Sequence, residues 1–81
     1  MSICDLKPGC TGVVTALRVE GAIRRRLLDM GLLRNTRITV DRTAPMGGPV
    51  WIRLNGTQIA LRRTEASAIL VRQIVFPEAT P

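Results

Sequence analysis

The dipeptide Asn55-Gly56 restricts the fold more than any other feature, because it specifies a tight turn between two segments of alternating polarity. A two-residue type I′ hairpin turn needs positive φ at both central positions, and Asn followed by Gly tolerates this best. Before the turn, apolar residues occupy every second position from 50 to 54. After it, the segment 57–61 places Ile59 and Leu61 on one side. The sequence therefore predicts an antiparallel β-hairpin.

Three further strands are predicted outside this hairpin. The segment 12–17 is short and contains several β-branched residues. The segment 36–43 places Ile38 and Val40 on one side, and the segment 70–76 forms the last strand. The connection before that last strand is predicted as one helical turn over residues 64–69, capped by Thr64.

A single short helix is predicted over residues 22–30, which contain good helix formers. Ile23, Leu27 and Met30 fall at i, i+4 and i+7 and are predicted to form its apolar face. Gly31 follows as the residue that ends the helix in the left-handed region.

The element count favours a mostly-β fold: about five short strands with one or two short helical inserts. Closing such a chain into a small SH3-like barrel removes exposed strand edges. We predict this barrel as a single domain over residues 1–76. Residues 77–81 contain two prolines and are predicted to form a frayed tail.

Charge restricts the class of partner. Twelve basic residues, eleven of them arginine, stand against six acidic ones and give a net charge of +6. This balance favours an anionic partner: nucleic acid, an acidic protein surface or a membrane surface. Single strands are bound on aromatic platforms, and the chain has only Trp51 and Phe76. A nucleic-acid-binding small barrel is therefore the alternative hypothesis and not the first.

Missing residues exclude several chemistries. Without histidine, a Ser-His or Cys-His pair and any His-based metal site are impossible. Lys7, the single lysine, lies between Leu6 and Pro8, which is not a P-loop arrangement. No apolar run approaches the ~20 residues that span a bilayer, and no secretion signal is visible. We expect a non-enzymatic cytoplasmic protein with no cofactor and with reduced cysteines.

Three segments, in order and in register, resemble one protein family. They are Arg25–Leu32, Arg42–Pro49, and Leu61–Ala66 followed by Ile69 and Val71; the opening Leu6–Gly9 with Gly12 agrees with them. Together they resemble the ferrous iron transport protein A (FeoA) family over residues 5–72. That family usually has Pro-Gly where this chain has Arg34-Asn35. Because Asn is the commonest non-Gly residue at positive φ, we expect the turn to survive.

The resemblance implies an SH3-like fold and a small cytoplasmic accessory or regulatory protein. It also implies a partner, the cytosolic part of a membrane ferrous-iron permease with a GTP-binding domain. Work beside that permease would bring the basic chain near the anionic inner leaflet, where dispersed arginines assist docking at most. The sequence leaves the oligomeric state open.

The first candidate partner-binding surface is Arg24-Arg25-Arg26 together with Leu32. Successive helical residues are about 100° apart, so the arginines fan around the exposed side. One interpretation is a solvated face on which Arg25 and Arg26 pair with Asp29; the other is a docking patch for an acidic protein surface. Leu32 and Leu33 cannot easily both point inward, so one of them is expected to be a surface contact.

The second candidate surface is the loop 44–49, with the contact residues Pro45, Met46, Gly47 and Pro49. Six residues are more than a hairpin requires. The loop either faces a partner, with Met46 as an adaptable apolar tip, or merely turns a corner of the barrel. Trp51 is likewise either an exposed contact anchor or the one aromatic residue of the core.

The remaining candidates are structural or metal-binding. Gly31, Asn35, Asn55 and Gly56 are predicted turn residues. Cys4, Asp5 and Cys10 are the only clustered soft or acidic ligands, but their spacing is not that of a zinc site. They are two ordinary thiols and a carboxylate, or part of a metal site that a second chain completes.

Overall fold

The computed structural model describes residues 1–75 and contains five β-strands and two α-helices. The strands are β1 (Thr11–Leu17), β2 (Arg37–Thr43), β3 (Val50–Leu54), β4 (Thr57–Leu61) and β5 (Ile69–Val75). The helices are α1 (Gly21–Asp29) and α2 (Arg63–Ala68), and a short 3-10 helix (Ile3–Asp5) precedes β1. The predicted domain boundary at residue 76 and the predicted tail 77–81 lie outside the described residues.

All five strands form one antiparallel sheet in the order β4-β3-β2-β1-β5. The ladders between β1 and β5 and between β2 and β3 contain register shifts, and such bulges bend and twist a sheet. Helix α2 connects the two edge strands, β4 and β5. The outer edge of β5 is partly covered by the chain start, because Val71 donates its N–H to the carbonyl of Met1 at 2.9 Å. The prediction of a small mostly-β fold is confirmed.

The hairpin between β3 and β4 has the predicted turn. Asn55 has φ 51° and Gly56 has φ 80°, and positive φ at both positions defines the type I′ geometry. The predicted inward residues are buried at positions 50, 52, 54 and 61, while Ile59 is half-buried. The local sequence was sufficient to predict this hairpin, because the two-residue turn and the alternation of apolar residues specify the same strand register.

The core lies beneath this sheet and is aliphatic. Its largest fully buried side chains are Ile3, Leu27, Leu32, Ile38, Ile52, Leu61, Ile69, Val14, Val40 and Val50. Trp51 is only half-buried and lies outside this cluster, so its interpretation as the aromatic core residue is wrong. Trp51 alternates along β3 with the buried Val50 and Ile52 and therefore lies on the opposite face of the strand.

Helix α1 packs on the core only through its C-terminal part. Every residue from Gly21 to Arg26 is exposed, whereas Leu27 is fully buried and Met30 is partly buried. The prediction that Ile23 shares the buried face is therefore wrong, since the residue is 49% exposed. Ile23 has the right helical phase, but the first turns of α1 have no core beneath them.

The end of α1 is a Schellman motif, in which two N–H groups bond back across a left-handed residue. Gly31 has φ 98°, its N–H donates to Leu28 O at 2.9 Å, and the N–H of Leu32 donates to Leu27 O at 3.1 Å. This motif brings the side chain after the glycine back onto the helix. Leu32 is accordingly fully buried and Leu33 is 52% exposed. The assignment of Leu32 as a surface contact is corrected: Leu33 is the exposed member of the pair.

Helix α2 begins one residue earlier than predicted, and Thr64 is not its cap. The cap is Arg62, whose backbone N–H donates to Glu65 Oε1 at 2.9 Å. A carboxylate at the third helical position commonly reaches back in this way. The prediction overlooked Glu65 as the residue that satisfies the helix start.

Candidate functional site

The three arginines of α1 have different environments. Arg24 donates through Nη1 to the carbonyl of Leu17 at 3.3 Å, and Arg26 forms an ion pair with Glu65 at 2.9 Å. The predicted pairing of Arg25 and Arg26 with Asp29 is absent from residues 1–75. Arg26 pairs across the fold because a buried carboxylate needs a counter-charge more than an exposed one does. The arginine run is thus not one uniform patch.

Glu65 is the charged residue that joins the two helices. Its side chain is 5% exposed, and its two oxygens are 2.9 Å from the Arg62 N–H and 2.9 Å from Arg26 Nη1. Both contacts are charge-assisted, which makes them stronger than neutral hydrogen bonds. One carboxylate therefore fixes the start of α2 and also links α2 to α1 through the Arg26 ion pair.

A groove lies between β1 and α1. It encloses about 250 Å³, its apolar lining includes Ala16, Leu17 and Leu28, and Arg24 and Arg34 line it as well. An adjoining depression shares Leu17 and Arg24 and extends toward Arg18, Val19 and Glu20. The arrangement is an aliphatic floor with a cationic rim.

The loop 44–49 has a defined shape. Its tip is a turn closed by the Gly48 N–H donating to Pro45 O at 3.2 Å, with Met46 at φ 57° and Gly47 at φ 77°. Met46 is fully exposed despite being a large apolar residue. A left-handed conformation is unfavourable for such a residue. The loop therefore presents an apolar side chain on a tightly turned backbone.

Arg63 anchors that loop to α2. Its Nη2 donates to Ala44 O at 2.9 Å and to Gly48 O at 3.2 Å. The same two residues approach closely, because a Cβ built on Gly48 would lie 2.6 Å from the Ala44 Cβ. Gly48 is required by this approach, and Arg63 satisfies the carbonyls that the turn leaves open.

Beside the loop, Arg42 stacks on Trp51. The guanidinium carbon is 5.0 Å from the ring centroid, within the range of a cation–π contact. Arg42, Thr43, Ala44, Pro45 and Trp51 line a shallow depression of about 340 Å³. Trp51 is thus partly accessible as a contact residue but already has a cationic partner within the chain.

Helix α2 connects the two predicted surfaces: it holds α1 through Glu65 and the loop through Arg63. Sequence reasoning did not identify these two residues, nor the role of Arg34 beside the groove. An acidic residue at the third position of α2 was the signal available for Glu65. No local pattern indicates the partners of Arg63. Of the predicted turn residues, Asn35 has φ 72°, as expected for the Arg34-Asn35 variation.

The metal-ligand candidates have separate hydrogen-bonding partners. Asp5 accepts the Ser2 N–H at 2.8 Å, Cys4 Sγ donates to Arg63 O at 3.5 Å, and Cys10 Sγ accepts from the Gln73 amide at 3.1 Å. Within residues 1–75 no group of three His, Cys, Asp or Glu side chains is placed to hold a metal ion. In the same part of the chain, no helix is long and apolar enough to cross a membrane.

Comparison with known proteins gives consistent results. The model of the FeoA domain family matches residues 1–73. A Porphyromonas gingivalis Fe(2+) transport protein A/Fe(2+) transporter FeoB fusion protein is 34% identical over 74 residues, 91% of this chain; the chain spans 9% of the fusion protein's length.

Two solved structures extend this comparison. The FeoA protein of Chlorobium tepidum is 38% identical, with a TM-score of 0.84, and the match covers 100% of this chain and 81% of that one. The FeoA of Stenotrophomonas maltophilia, complexed with zinc and described as an SH3 domain protein, is 26% identical, with a TM-score of 0.78 and 89% of each chain covered. The predicted SH3-like fold is confirmed.

Proposed function

The chain belongs to the FeoA domain family, and on that premise we propose that it is a non-enzymatic cytoplasmic accessory protein of ferrous iron uptake. In this proposal it docks on the cytosolic part of a membrane ferrous-iron permease that carries a GTP-binding domain. It regulates the permease through contact and has no chemistry of its own.

The observation that carries the proposal is the fusion protein of Porphyromonas gingivalis. There, a segment 34% identical to this chain is continuous with a transporter named FeoB. A covalent link raises the effective concentration of two modules by holding them together. Fusion is therefore advantageous when the modules act as a pair, and a separate chain must reach the same partner through an interface. The Stenotrophomonas relative is described as a candidate ferrous iron transport activating factor, which agrees with this role.

The physical character of the chain supports a binding role over catalysis. Its acidic residues are few, and three of the five carboxylates in residues 1–75 already serve as caps or ion-pair partners: Asp5, Asp41 and Glu65. The depressions on its surface are small and open. Exposed apolar and arginine side chains are the features that a protein interface uses.

The test is direct binding of the purified chain to the purified cytosolic domain of the permease, by isothermal titration calorimetry. It is combined with ferrous iron uptake in cells with and without the chain. We expect saturable binding and altered uptake in the deletion strain. No binding, together with unchanged uptake, would refute the proposal. GTP hydrolysis by the domain, measured with and without the chain, then shows which step responds.

A further inference from the structure

The groove between β1 and α1 combines an apolar lining with cationic side chains. Its apolar lining includes Leu17 from β1 and Leu28 from α1, while Arg24 and Arg34 supply positive charge. At about 250 Å³ it is smaller than the clefts that usually hold cofactors or drug-sized ligands. Its size suits an apolar side chain of a partner.

Arg24 is already held in place at the groove. Its Nη1 donates to the carbonyl of Leu17, a lining residue, at 3.3 Å. A guanidinium fixed by one contact has less rotamer freedom to lose when its other N–H groups bind a carboxylate. The groove is thus partly preorganised for an anionic group.

Ion pairs among the described residues do not neutralise this rim. In residues 1–75 the ion pairs are Arg26 with Glu65 and Arg53 with Asp41; neither involves Arg24 or Arg34. Among the described residues that line the groove or the adjoining depression, Glu20 is the one carboxylate. The rim is therefore complementary to an acidic partner surface.

Two other occupants fit less well. A second copy of this chain would bring a net charge of +6 to a positive rim, and three of its five described carboxylates are already engaged. A nucleic acid would supply phosphates, but none of the described residues that line the groove is an aromatic on which a base could stack. An acidic protein segment with an apolar anchor satisfies both the floor and the rim.

We propose that this groove is the docking site for an acidic segment of the partner protein, which inserts one large apolar side chain against Leu17 and Leu28. Carboxylates flanking that anchor contact Arg24 and Arg34. The inference rests on the proposed function and deepens it, because it assigns the surface and the chemistry of the docking segment.

The decisive variant fills the groove without touching its charges. Ala16 is exposed on β1 and lines the groove, so Ala16→Phe occupies the anchor's place. Ala60 is an exposed alanine on β4, and Ala60→Phe is the matched control. With the permease's cytosolic domain as probe, we expect about tenfold or greater loss of affinity for Ala16→Phe. The control should stay within about twofold of the unaltered chain.

A second pair of variants tests the rim at equal net charge. Arg24→Glu with Arg34→Glu should abolish measurable binding, because like charges then face each other. Lys7→Glu with Arg72→Glu makes the same change in net charge at exposed positions that do not line the groove, and it should weaken binding only slightly. Circular dichroism and thermal midpoints verify that all four variants are folded.

The outcomes separate this inference from the proposed function. If the unaltered chain does not bind the domain, the groove has no partner segment to hold and the groove proposal fails; unchanged uptake in the deletion strain as well would refute the proposed function. If the chain binds and the groove variants bind equally well, the function stands and the groove proposal is refuted. Chemical-shift mapping on the unaltered chain avoids any folding ambiguity: shifts at Ala16, Leu28 and Arg34 support the groove, and shifts confined to residues 44–49 overturn it. Self-association that Ala16→Phe abolishes would also overturn it, in favour of a second copy.

Discussion

Glu65 shows, at the scale of one residue, how a buried charge is tolerated. It is the one charged residue classed as buried in residues 1–75, and its oxygens contact the Arg62 N–H and the Arg26 guanidinium. Glu65→Ala removes both contacts and leaves a helix-start N–H unpaired. We predict a loss of about 1–3 kcal/mol in the free energy of unfolding, measured by urea denaturation.

The control for this prediction is Asp29→Ala, which removes an exposed carboxylate that has no ion-pair partner in the described part of the chain. It should change the unfolding free energy by no more than about 0.5 kcal/mol. A double-mutant cycle with Arg26→Ala isolates the pair itself. Equal losses for Glu65→Ala and Asp29→Ala would contradict the structural role assigned to Glu65.

Met46 is the second residue whose geometry makes a prediction. Its backbone has φ 57° while its side chain is fully exposed, so the conformation is unfavourable and no buried contact offsets it. Asn adopts this region more readily than Met. Met46→Asn should raise the unfolding free energy by up to about 1 kcal/mol, seen as a higher thermal midpoint. A lower midpoint would mean that the Met46 side chain contributes contacts within the fold.

At this scale, prediction from the sequence succeeded for residues whose backbone conformation depends on residue type and on neighbours in the chain. Asn55, Gly56, Gly31 and Asn35 were placed correctly, because positive φ is a property of a few residue types. Leu32 was misplaced, although the glycine before it carried the information: a Schellman motif turns the next apolar residue back onto the helix. The partner of Arg26 could not be predicted, since Glu65 is 39 positions away along the chain.

At the scale of elements, α2 is more than a connection between β4 and β5. It contacts the loop 44–49 through Arg63 and α1 through Glu65. The strands and the hairpin were predictable because alternation and turn chemistry are local. The contacts of α2 were not, because they depend on how the bent sheet brings distant segments together. For the same reason, the exposure of Ile23 could not be read from helical phase alone.

Arg63→Gln is predicted to loosen the loop without loosening the sheet. The two hydrogen bonds from Nη2 to Ala44 O and Gly48 O are lost, so the turn that they brace should open more often. We expect faster hydrogen exchange at the amides of Ala44 and Gly48, which bond within the loop, and little change in the β3–β4 ladder. Arg62→Gln removes the same charge from the neighbouring position and should leave these amides unchanged. Unaltered loop exchange in Arg63→Gln would refute the anchoring role.

At the scale of the whole molecule, binding can depend either on the total net charge of +6 or on where the individual basic residues lie. Docking in the groove depends on placement, because Arg24 and Arg34 meet specific carboxylates. Non-specific binding to duplex DNA, the alternative suggested by composition, depends on the number of phosphates neutralised and on salt. The two functions therefore respond differently to variants that share one net charge.

The double reversals used for the groove supply that comparison. Each takes the net charge from +6 to about +2, once at Arg24 and Arg34 and once at Lys7 and Arg72. We predict that any binding to a duplex DNA fragment is weak, falls steeply with salt, and decreases to a similar extent in both variants, as measured by fluorescence anisotropy across a salt series. Binding to the permease domain should instead be lost only in the first variant. Duplex binding that persists near physiological salt and distinguishes the two variants would mean that a built nucleic-acid site exists, and the composition-based alternative would then be the correct one.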